Sequence, residues 1–223
     1  MRKSRLYLSL SIISMIAAVG VGIAQGHCDR YCPGTTCTFI YDHEQQAISA
    51  FEARDFDAMN RHAHALIADG ETLNGRRWSA YSLRGQGRLD EAISAYHESM
   101  HRESGHAVPL PVLIDSYVGL ADCFARQGLK ERARDWIDRA QEDAISQLRE
   151  HQDQDTHYQL ACVLAVRSSI EEGPTAEIVR GLALEQLRLA IRHGFDNWDH
   201  LRADIDVDSL RSDPRFQALF PGA

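Results

Sequence analysis

Apolar positions along most of the chain recur at intervals of three and four, the spacing that places them on one face of an α-helix. From Tyr41 onward this spacing dominates, and the alternation typical of strands is weak. The predicted helices cover 43–53, 73–86, 89–103, 112–127, 130–150, 156–171 and 175–193. A further predicted helix, between the first two of these, passes through Met59 and stops at Gly70. Each carries an apolar stripe on one side, and none is apolar all round. Because every stripe needs a neighbour, the pattern predicts an all-α fold of packed helices.

Two stretches of this pattern are copies of each other. One has Ala80, Leu83, Gly87, Ala92 and Tyr96 where the other, 41 residues later, has Ala121, Phe124, Gly128, Ala133 and Ile137. Small residues at matched places allow two helices to approach closely, and the large residues beside them fill the space between pairs. A period of this size indicates stacked supersecondary units that are stable only together.

These residues resemble the tetratricopeptide repeat, a pair of antiparallel helices. The stretch Gly87–Ile93, with Leu89 and Ala92, is close to the best-known part of that repeat. The copies beginning near Leu73 and Ile114 match well, whereas those around 40–70 and after Leu160 depart from the pattern. The resemblance covers about 40–195 and implies a right-handed solenoid of helical hairpins with about four units.

In such a fold the first helix of each hairpin lines a concave groove that binds a protein or peptide. Arginine and tyrosine suit recognition, since arginine binds carboxylates through two hydrogen bonds and tyrosine offers area with one polar end. The predicted partner-binding groove consists of Arg77, Tyr81, Arg84, Asp122, Arg126 and Tyr158. A solvated groove without a dedicated ligand is the alternative.

Residues 194–223 resemble a C-terminal segment that closes such arrays in bacterial proteins. Its apolar side chains are expected to cover the last hairpin, and Asp213 and Pro214 suit the start of a short helix. The triplet Asp204-x-Asp206-x-Asp208 lacks the glycine and glutamate of a calcium loop, so we interpret these aspartates as helix caps.

The chain begins with a basic stretch followed by an uncharged run over 6–24 and small residues up to Gly26, the layout of a secretory signal. We therefore expect residues 1–26 to be removed and the protein to be periplasmic or secreted; an uncleaved membrane anchor through 6–24 is the alternative. Removal of three positive charges changes the formal net charge from −8 to −11. That balance disfavours nucleic acid as a partner, because phosphates require clustered cations.

Export would place the cysteines in an oxidising compartment, where disulfides form. The candidates are Cys28, Cys32, Cys37, Cys123 and Cys162. Residues 27–40 are predicted to be an arm tied by disulfides, with a metal site as the alternative. Cys123 and Cys162 fall on corresponding helices of neighbouring hairpins, where they could form a bridge or remain small buried thiols.

One short motif suggests catalysis. His97-Glu98-Ser99-Met100-His101 has the letters of a zinc hydrolase site, with Glu98 as general base and His106 as a candidate third ligand. In the repeat pattern, however, Tyr96 and Ser99 take the packing positions, so the histidines face solvent. Phosphate-binding and dinucleotide motifs do not appear.

We therefore expect repeats over 41–193 and an exported scaffold that binds a protein or peptide, with no cofactor and no catalytic activity of its own. A zinc-dependent hydrolase using His97, Glu98 and His101 is the alternative. A module that forms homo-oligomers through its repeat ends is a third reading.

Overall fold

A computed structural model describes residues 36–101 and 107–222, with side chains from residue 42 and without that of Thr72. Over these ranges the chain forms helices and no strand, so the predicted all-α fold is confirmed. The helices are α1 (Thr36–Glu52), α2 (Phe56–Ala68), α3 (Thr72–Gly85), α4 (Leu89–Ser99), α5 (Leu110–Arg126), α6 (Lys130–Glu150), α7 (Gln154–Ile170), α8 (Gly173–Arg192), α9 (Trp198–Ala203), a 3₁₀ helix (Ile205–Leu210) and α10 (Pro214–Gln217).

The helices pack in the order of the chain. Each helix from α1 to α7 contacts the next, and contacts also join α3 to α5 and α5 to α7. The small residues of the repeat lie at these contacts, where Ala80, Ala92, Ala121 and Ala133 are fully buried. At Gly75, a Cβ atom would lie 2.7 Å from the carbonyl oxygen of Ala63, so α3 approaches the backbone of α2 more closely than a side chain would permit.

Several helix ends follow from local chemistry. Asp153 caps α7 by accepting hydrogen bonds from the backbone of Asp155 and Thr156, and Thr156 bonds back to complete a capping box. Asp213 caps α10 and Pro214 opens it, as predicted. Gly194 follows α8 with a positive φ of 107°, a conformation that glycine adopts without strain.

Three features differ from the sequence prediction. Helix α1 begins at Thr36, inside the stretch 27–40 that was predicted to be an arm and seven residues before the predicted helix start at 43. Helix α4 ends at Ser99, earlier than the predicted position 103, because the backbone N–H groups of Met100 and His101 bond three residues back and tighten the last turn. Helix α7 is buried on nearly every side, including polar residues such as His157 and Gln159. Its burial comes from α6, α8, α5 and the 3₁₀ helix, which all pack around it.

The buried apolar residues form two clusters, and the C-terminal segment contacts both. The smaller cluster joins α1, α2 and Trp78 of α3, and it includes Ala203 of α9. The larger one runs from Ala80 to the C-terminal segment and contains Phe195, Leu201 and Phe216. Helix α9 also contacts α1 directly. The last residues of the chain therefore pack against its first described helix as well as against the last hairpin.

No helix within 36–101 or 107–222 is both long and apolar enough to cross a membrane. The predicted signal segment and Cys28 and Cys32 lie outside the described residues, as does His106. Cys37 belongs to α1, although its side chain is not among those described.

Candidate functional site

A pocket lies where α3, α5 and α7 meet the C-terminal segment, with Phe51 of α1 at its edge. Aromatic rings form much of its wall: Phe51, Trp78, Tyr81, Tyr96, Tyr158, Phe195 and His200. The centres of water molecules can occupy about 70 Å³ of it. Since one water needs about 10–15 Å³ of such space, the pocket has room for a few waters or for one small side-chain group.

Asp204, at the start of the 3₁₀ helix, binds the tyrosines of two different helices. Its Oδ1 accepts a hydrogen bond from the hydroxyl of Tyr81 at 3.0 Å, and its Oδ2 accepts one from Tyr158 at 2.7 Å. The backbone N–H of Asp206 and the thiol of Cys162 also donate to this carboxylate. Tyr81 in turn accepts from the backbone N–H of Ile205. This carboxylate thus joins α3, α7 and the C-terminal segment.

Two further aspartates of the C-terminal segment pair with arginines. Arg84 of α3 is 1% exposed, and its Nη2 lies 2.5 Å from Oδ1 of Asp206. Arg54, in the turn after α1, donates two hydrogen bonds to Asp208, at 3.0 and 2.9 Å. Burial raises the pKa of Asp206 to about 7, against the opposing effect of Arg84. The ion pair of Arg84 is buried, and that of Arg54 is exposed. The two pairs therefore lie in the interior and at the edge of the contact between the C-terminal segment and the preceding helices.

A second polar group lies on α3, α5 and α7. The Nη2 of Arg77 is 3.5 Å from Oδ2 of Asp115, and the side-chain amide of Gln159 donates to Oδ1 of Asp115 and to the carbonyl of Pro111, both at 2.9 Å. Burial raises the pKa of Asp115 despite the nearby guanidinium of Arg77.

His200 of α9 also lines the pocket. Its ring stacks on Phe51 with centroids 4.9 Å apart and lies near the ring of Tyr158. Burial lowers the pKa of His200, although Asp204 acts in the opposite direction, so the ring is neutral at physiological pH.

Hydrogen-bond partners are missing for several buried polar atoms in this wall. They are Arg77 Nε, Arg84 Nε, Asp115 Oδ2, Gln159 Oε1 and His200 Nδ1. Buried polar atoms are paired in the great majority of cases, because an unpaired one costs about 1–3 kcal/mol. The wall of this pocket can therefore form further hydrogen bonds with a polar group.

Most of the predicted groove residues meet at this pocket. Arg77, Tyr81, Arg84 and Tyr158 line it. Asp122 and Arg126 lie outside the lining but are connected to it, since Asp122 is 3.9 Å from Arg84 and Arg126 donates to the carbonyl of Arg84.

The part of the site that the C-terminal segment supplies was not predicted from the sequence. Asp204 does cap the 3₁₀ helix, as interpreted, but Asp206 and Asp208 pair with arginines. His200 and Phe195 carried no signal of their own. Asp115 and Gln159 each lie five residues after the first residue of their helix, and only the relative positions of α5 and α7 bring them together. The unusual density of aspartates at 204–208 was the one available signal.

The two described cysteine side chains are free thiols, so the suggested bridge between Cys123 and Cys162 is wrong and the alternative of small buried thiols is confirmed. Cys123 packs inside the larger apolar cluster, and Cys162 donates to Asp204. Burial raises the pKa of Cys123 to about 12 and that of Cys162 well above its ordinary value. Both are therefore protonated thiols at neutral pH.

The histidine motif is divided by the end of α4. His97 lies within the helix and contacts the ring of Trp136 edge-on, whereas His101 follows the helix and is exposed. Glu98 is also exposed. Tyr96 and Ser99 take the buried positions, as the repeat pattern predicts. The spacing of four that places two histidines on one helical face therefore does not apply here.

Among the residues described, Cys162, Asp204 and Asp206 are the one group of three metal-binding side chains with ligand atoms within 4.8 Å of one another. Their atoms already have partners: Arg84 holds Asp206, the two tyrosines hold Asp204, and burial keeps Cys162 protonated. A cation here would also meet the charge of Arg84. The group fits a hydrogen-bonded joint between helices better than a metal centre.

No protein-family model matches the chain, and no curated protein matches it.

Proposed function

We propose that this protein is an exported tetratricopeptide-like scaffold of about four helical hairpins that binds a protein or peptide in the cell envelope. The site of binding is the pocket between α3, α5, α7 and the C-terminal segment. The observation that carries the proposal is the set of unpaired buried polar atoms around this pocket. A pocket of this size accepts one side chain or chain end of a partner, while the rest of the partner lies along the exposed surface beside it.

The repeat assignment has independent support. Matched small residues of the two copies are buried at helix contacts, and the alternate helices α3, α5 and α7 touch one another, as in a row of stacked hairpins. Export is supported by the composition of residues 1–26 alone.

The chemistry of the pocket favours binding over catalysis. Burial raises the pKa values of Tyr81, Tyr158 and Cys162 well above their ordinary ranges. Groups held in their protonated forms are weak nucleophiles and weak bases near neutral pH. The zinc hydrolase alternative has less support, because α4 ends before His101. Stoichiometric zinc in the purified protein, lost in His97→Ala, would favour it instead.

The test is a comparison of wild-type protein with a variant of the exposed groove edge. Arg77 is unsuitable because it is 9% exposed, and its replacement would test folding. Arg126 is suitable, since 42% of its side chain is exposed. Peptides selected from a random display library on the wild-type protein should bind Arg126→Gln about tenfold more weakly, which corresponds to ~1.4 kcal/mol.

Arg192→Gln is the matched control, because Arg192 is exposed on α8 and does not line the pocket. Its affinity for the selected peptides should equal that of wild type. Selected peptides that bind all three proteins equally, or failure to select any peptide, would refute binding at this face.

A further inference from the structure

The buried charges of the pocket do not balance. Its wall contains the carboxylates of Asp115, Asp204 and Asp206 but only two guanidiniums, those of Arg77 and Arg84. His200 does not supply the missing positive charge, because burial lowers its pKa and keeps it neutral. Above its raised pKa of about 7 Asp206 is ionised as well, and the wall then carries one more negative charge than positive charges.

The arginines are already committed to two of the carboxylates. Arg84 pairs with Asp206 and Arg77 with Asp115, the latter at a loose 3.5 Å. Asp204 is held by hydrogen bonds from neutral tyrosine hydroxyls and a backbone N–H. Neutral donors satisfy its lone pairs but do not cancel its charge, and a buried uncompensated charge is costly.

Two acceptors in the wall accept no hydrogen bond, although one of them, Oδ2 of Asp115, faces Nη2 of Arg77 at 3.5 Å. Gln159 is 6% exposed, and its amide nitrogen bonds both Pro111 and Asp115, which fixes the orientation of the amide and leaves Oε1 without a partner. Oδ2 of Asp115 also lacks a hydrogen bond. The two side chains are joined through other atoms, the amide nitrogen of Gln159 and Oδ1 of Asp115, at 2.9 Å, so both acceptors lie in the same part of the wall, where a group with several N–H bonds could reach them.

The remaining unpaired atoms do not change the net negative charge of the pocket wall. Nε of Arg77 and Nε of Arg84 are donors, but each belongs to a guanidinium that already faces a carboxylate. Nδ1 of neutral His200 accepts or donates according to its tautomer.

The aromatic wall suits the same ligand. Tyr158 and Phe195 stack with centroids 4.6 Å apart, and Phe51, Trp78 and Tyr96 line the neighbouring surface. Aromatic faces attract cations, and the attraction increases as water is excluded. They also cover the methylene groups that precede the charge in an alkylammonium chain.

We propose that the pocket binds an alkylammonium group, namely the end of a lysine side chain presented by the peptide partner. This inference rests on the proposed function for the source of the lysine, which is a protein or peptide partner. The preference for an ammonium group is argued from the pocket residues alone. The ammonium group donates to Asp115 and Gln159, restores charge balance to the wall and places its methylenes against the rings.

The experiment measures binding of three probes to the full wild-type chain by calorimetry: Nα-acetyl-lysine methylamide, its uncharged norleucine analogue and its glutamate analogue. We expect the lysine probe to bind at least about tenfold more tightly than either analogue. A shift of the indole N–H resonance of Trp78, which lines the pocket, locates the binding. Equal binding of all three probes, tighter binding of the glutamate analogue, or no binding would overturn the proposal.

A pair of isosteric variants gives a second measurement. Asp115→Asn removes a carboxylate of the wall and should weaken the lysine probe about tenfold. Asp199→Asn removes the same charge from the exposed start of α9, where 76% of the side chain is accessible, and should leave binding unchanged. Equal affinity of both variants and wild type would contradict the assignment; if Asp115→Asn does not fold, the comparison of probes on wild type decides alone.

Butylammonium chloride distinguishes the source of the group. Binding of the lysine probe at least as tight as that of butylammonium supports a peptide ligand, whereas butylammonium binding without lysine-probe binding would overturn that part.

The two proposals also fail separately. Selected peptides that depend on Arg126 while every lysine probe fails would refute the ammonium assignment and leave groove binding intact. Binding of the lysine probe, together with failure to obtain Arg126-dependent peptides, would refute groove binding and leave the ammonium assignment intact.

Discussion

At the residue scale, Gly75 shows how closely two helices of this fold approach. Its missing side chain leaves room for the backbone of α2, and a Cβ would lie 2.7 Å from the carbonyl oxygen of Ala63 and 2.6 Å from the side chain of Ile67. A backbone atom cannot move aside as the end of a flexible side chain can. Glycine is therefore required here by packing, although it weakens the helix that contains it.

Gly75→Ala should lower the free energy of unfolding by about 1–3 kcal/mol, because α3 must move away from α2. Gly181→Ala is the matched control: Gly181 is inside α8, and the nearest atom to a Cβ there is the end of the Arg215 side chain at 4.0 Å. Gly181→Ala should raise the free energy of unfolding by up to ~1 kcal/mol, because alanine has a higher helix propensity than glycine. Urea denaturation measures both, and effects of the same sign would contradict the packing argument.

Asp206 is expected to make stability depend on pH. Burial raises its pKa in the folded protein to about 7, from 3.8 for an unperturbed aspartate. The folded state therefore keeps a proton that the unfolded state releases, so this group's contribution to stability is present below about pH 4 and is lost as the pH rises to about 7. Arg84, Asp204 and Asp115 are the charged groups that act on it.

Wild-type protein should consequently lose stability relative to Asp206→Asn between about pH 4 and pH 7, and the two curves should run parallel at higher pH. Denaturation series across this range measure the difference. A stability difference between the two proteins that stays constant, or that increasingly favours wild type as the pH rises, would show that Asp206 is ionised throughout this pH range.

At the element scale, α7 depends on its neighbours and on its N-terminal cap. The helix is surrounded by α5, α6, α8 and the 3₁₀ helix, and it contributes Tyr158, Gln159 and Cys162 to the pocket. Its register must be fixed for these side chains to meet Asp115 and Asp204. The capping box of Asp153 and Thr156 fixes where the helix begins.

Asp153→Ala should cost about 0.5–2 kcal/mol of stability, because two backbone N–H groups at the start of α7 lose their acceptor. Asp153→Asn is the matched comparison, since it removes the same charge and retains a capping oxygen. Thermal denaturation should rank Asn close to wild type and Ala below it. An Asn variant as unstable as Ala would mean that charge rather than capping stabilises this end.

At the scale of the whole molecule, the C-terminal segment connects helices that are distant along the chain. It reaches the smaller apolar cluster through Ala203 and the larger one through Phe195, Leu210 and Phe216. Its aspartates bind side chains of α3, α7 and the turn after α1. Stacked repeats usually contact only their neighbours, and here the segment adds contacts between the two ends.

A chain that ends at Gly194 should therefore lose much more stability than one that ends at Phe220. The shorter chain exposes the faces of α1, α3 and α7 that the segment covers, and hydrogen exchange should become faster in all three helices. The longer chain lacks only the last three residues. A chain ending at Gly194 with the unfolding midpoint of the full protein would contradict this role.

The sequence could determine whatever depends on local spacing. The period of three and four residues specified the helices, and the offset of 41 residues between Ala80 and Ala121 identified equivalent positions at helix contacts. The resemblance to tetratricopeptide repeats then led to Arg77, Tyr81, Arg84 and Tyr158, which do meet in one pocket. These successes share a cause, since neighbours along the chain are also neighbours in space when helices pack in order.

Only the tertiary structure decided what completes the pocket. Asp206 meets Arg84 across 122 residues of chain, and Asp208 meets Arg54 across 154. Nothing in the spacing of these residues determines such distances, because the path of the last segment depends on the summed packing of every helix before it. The balance of charge in the pocket, and hence the ligand we propose, follows from that path.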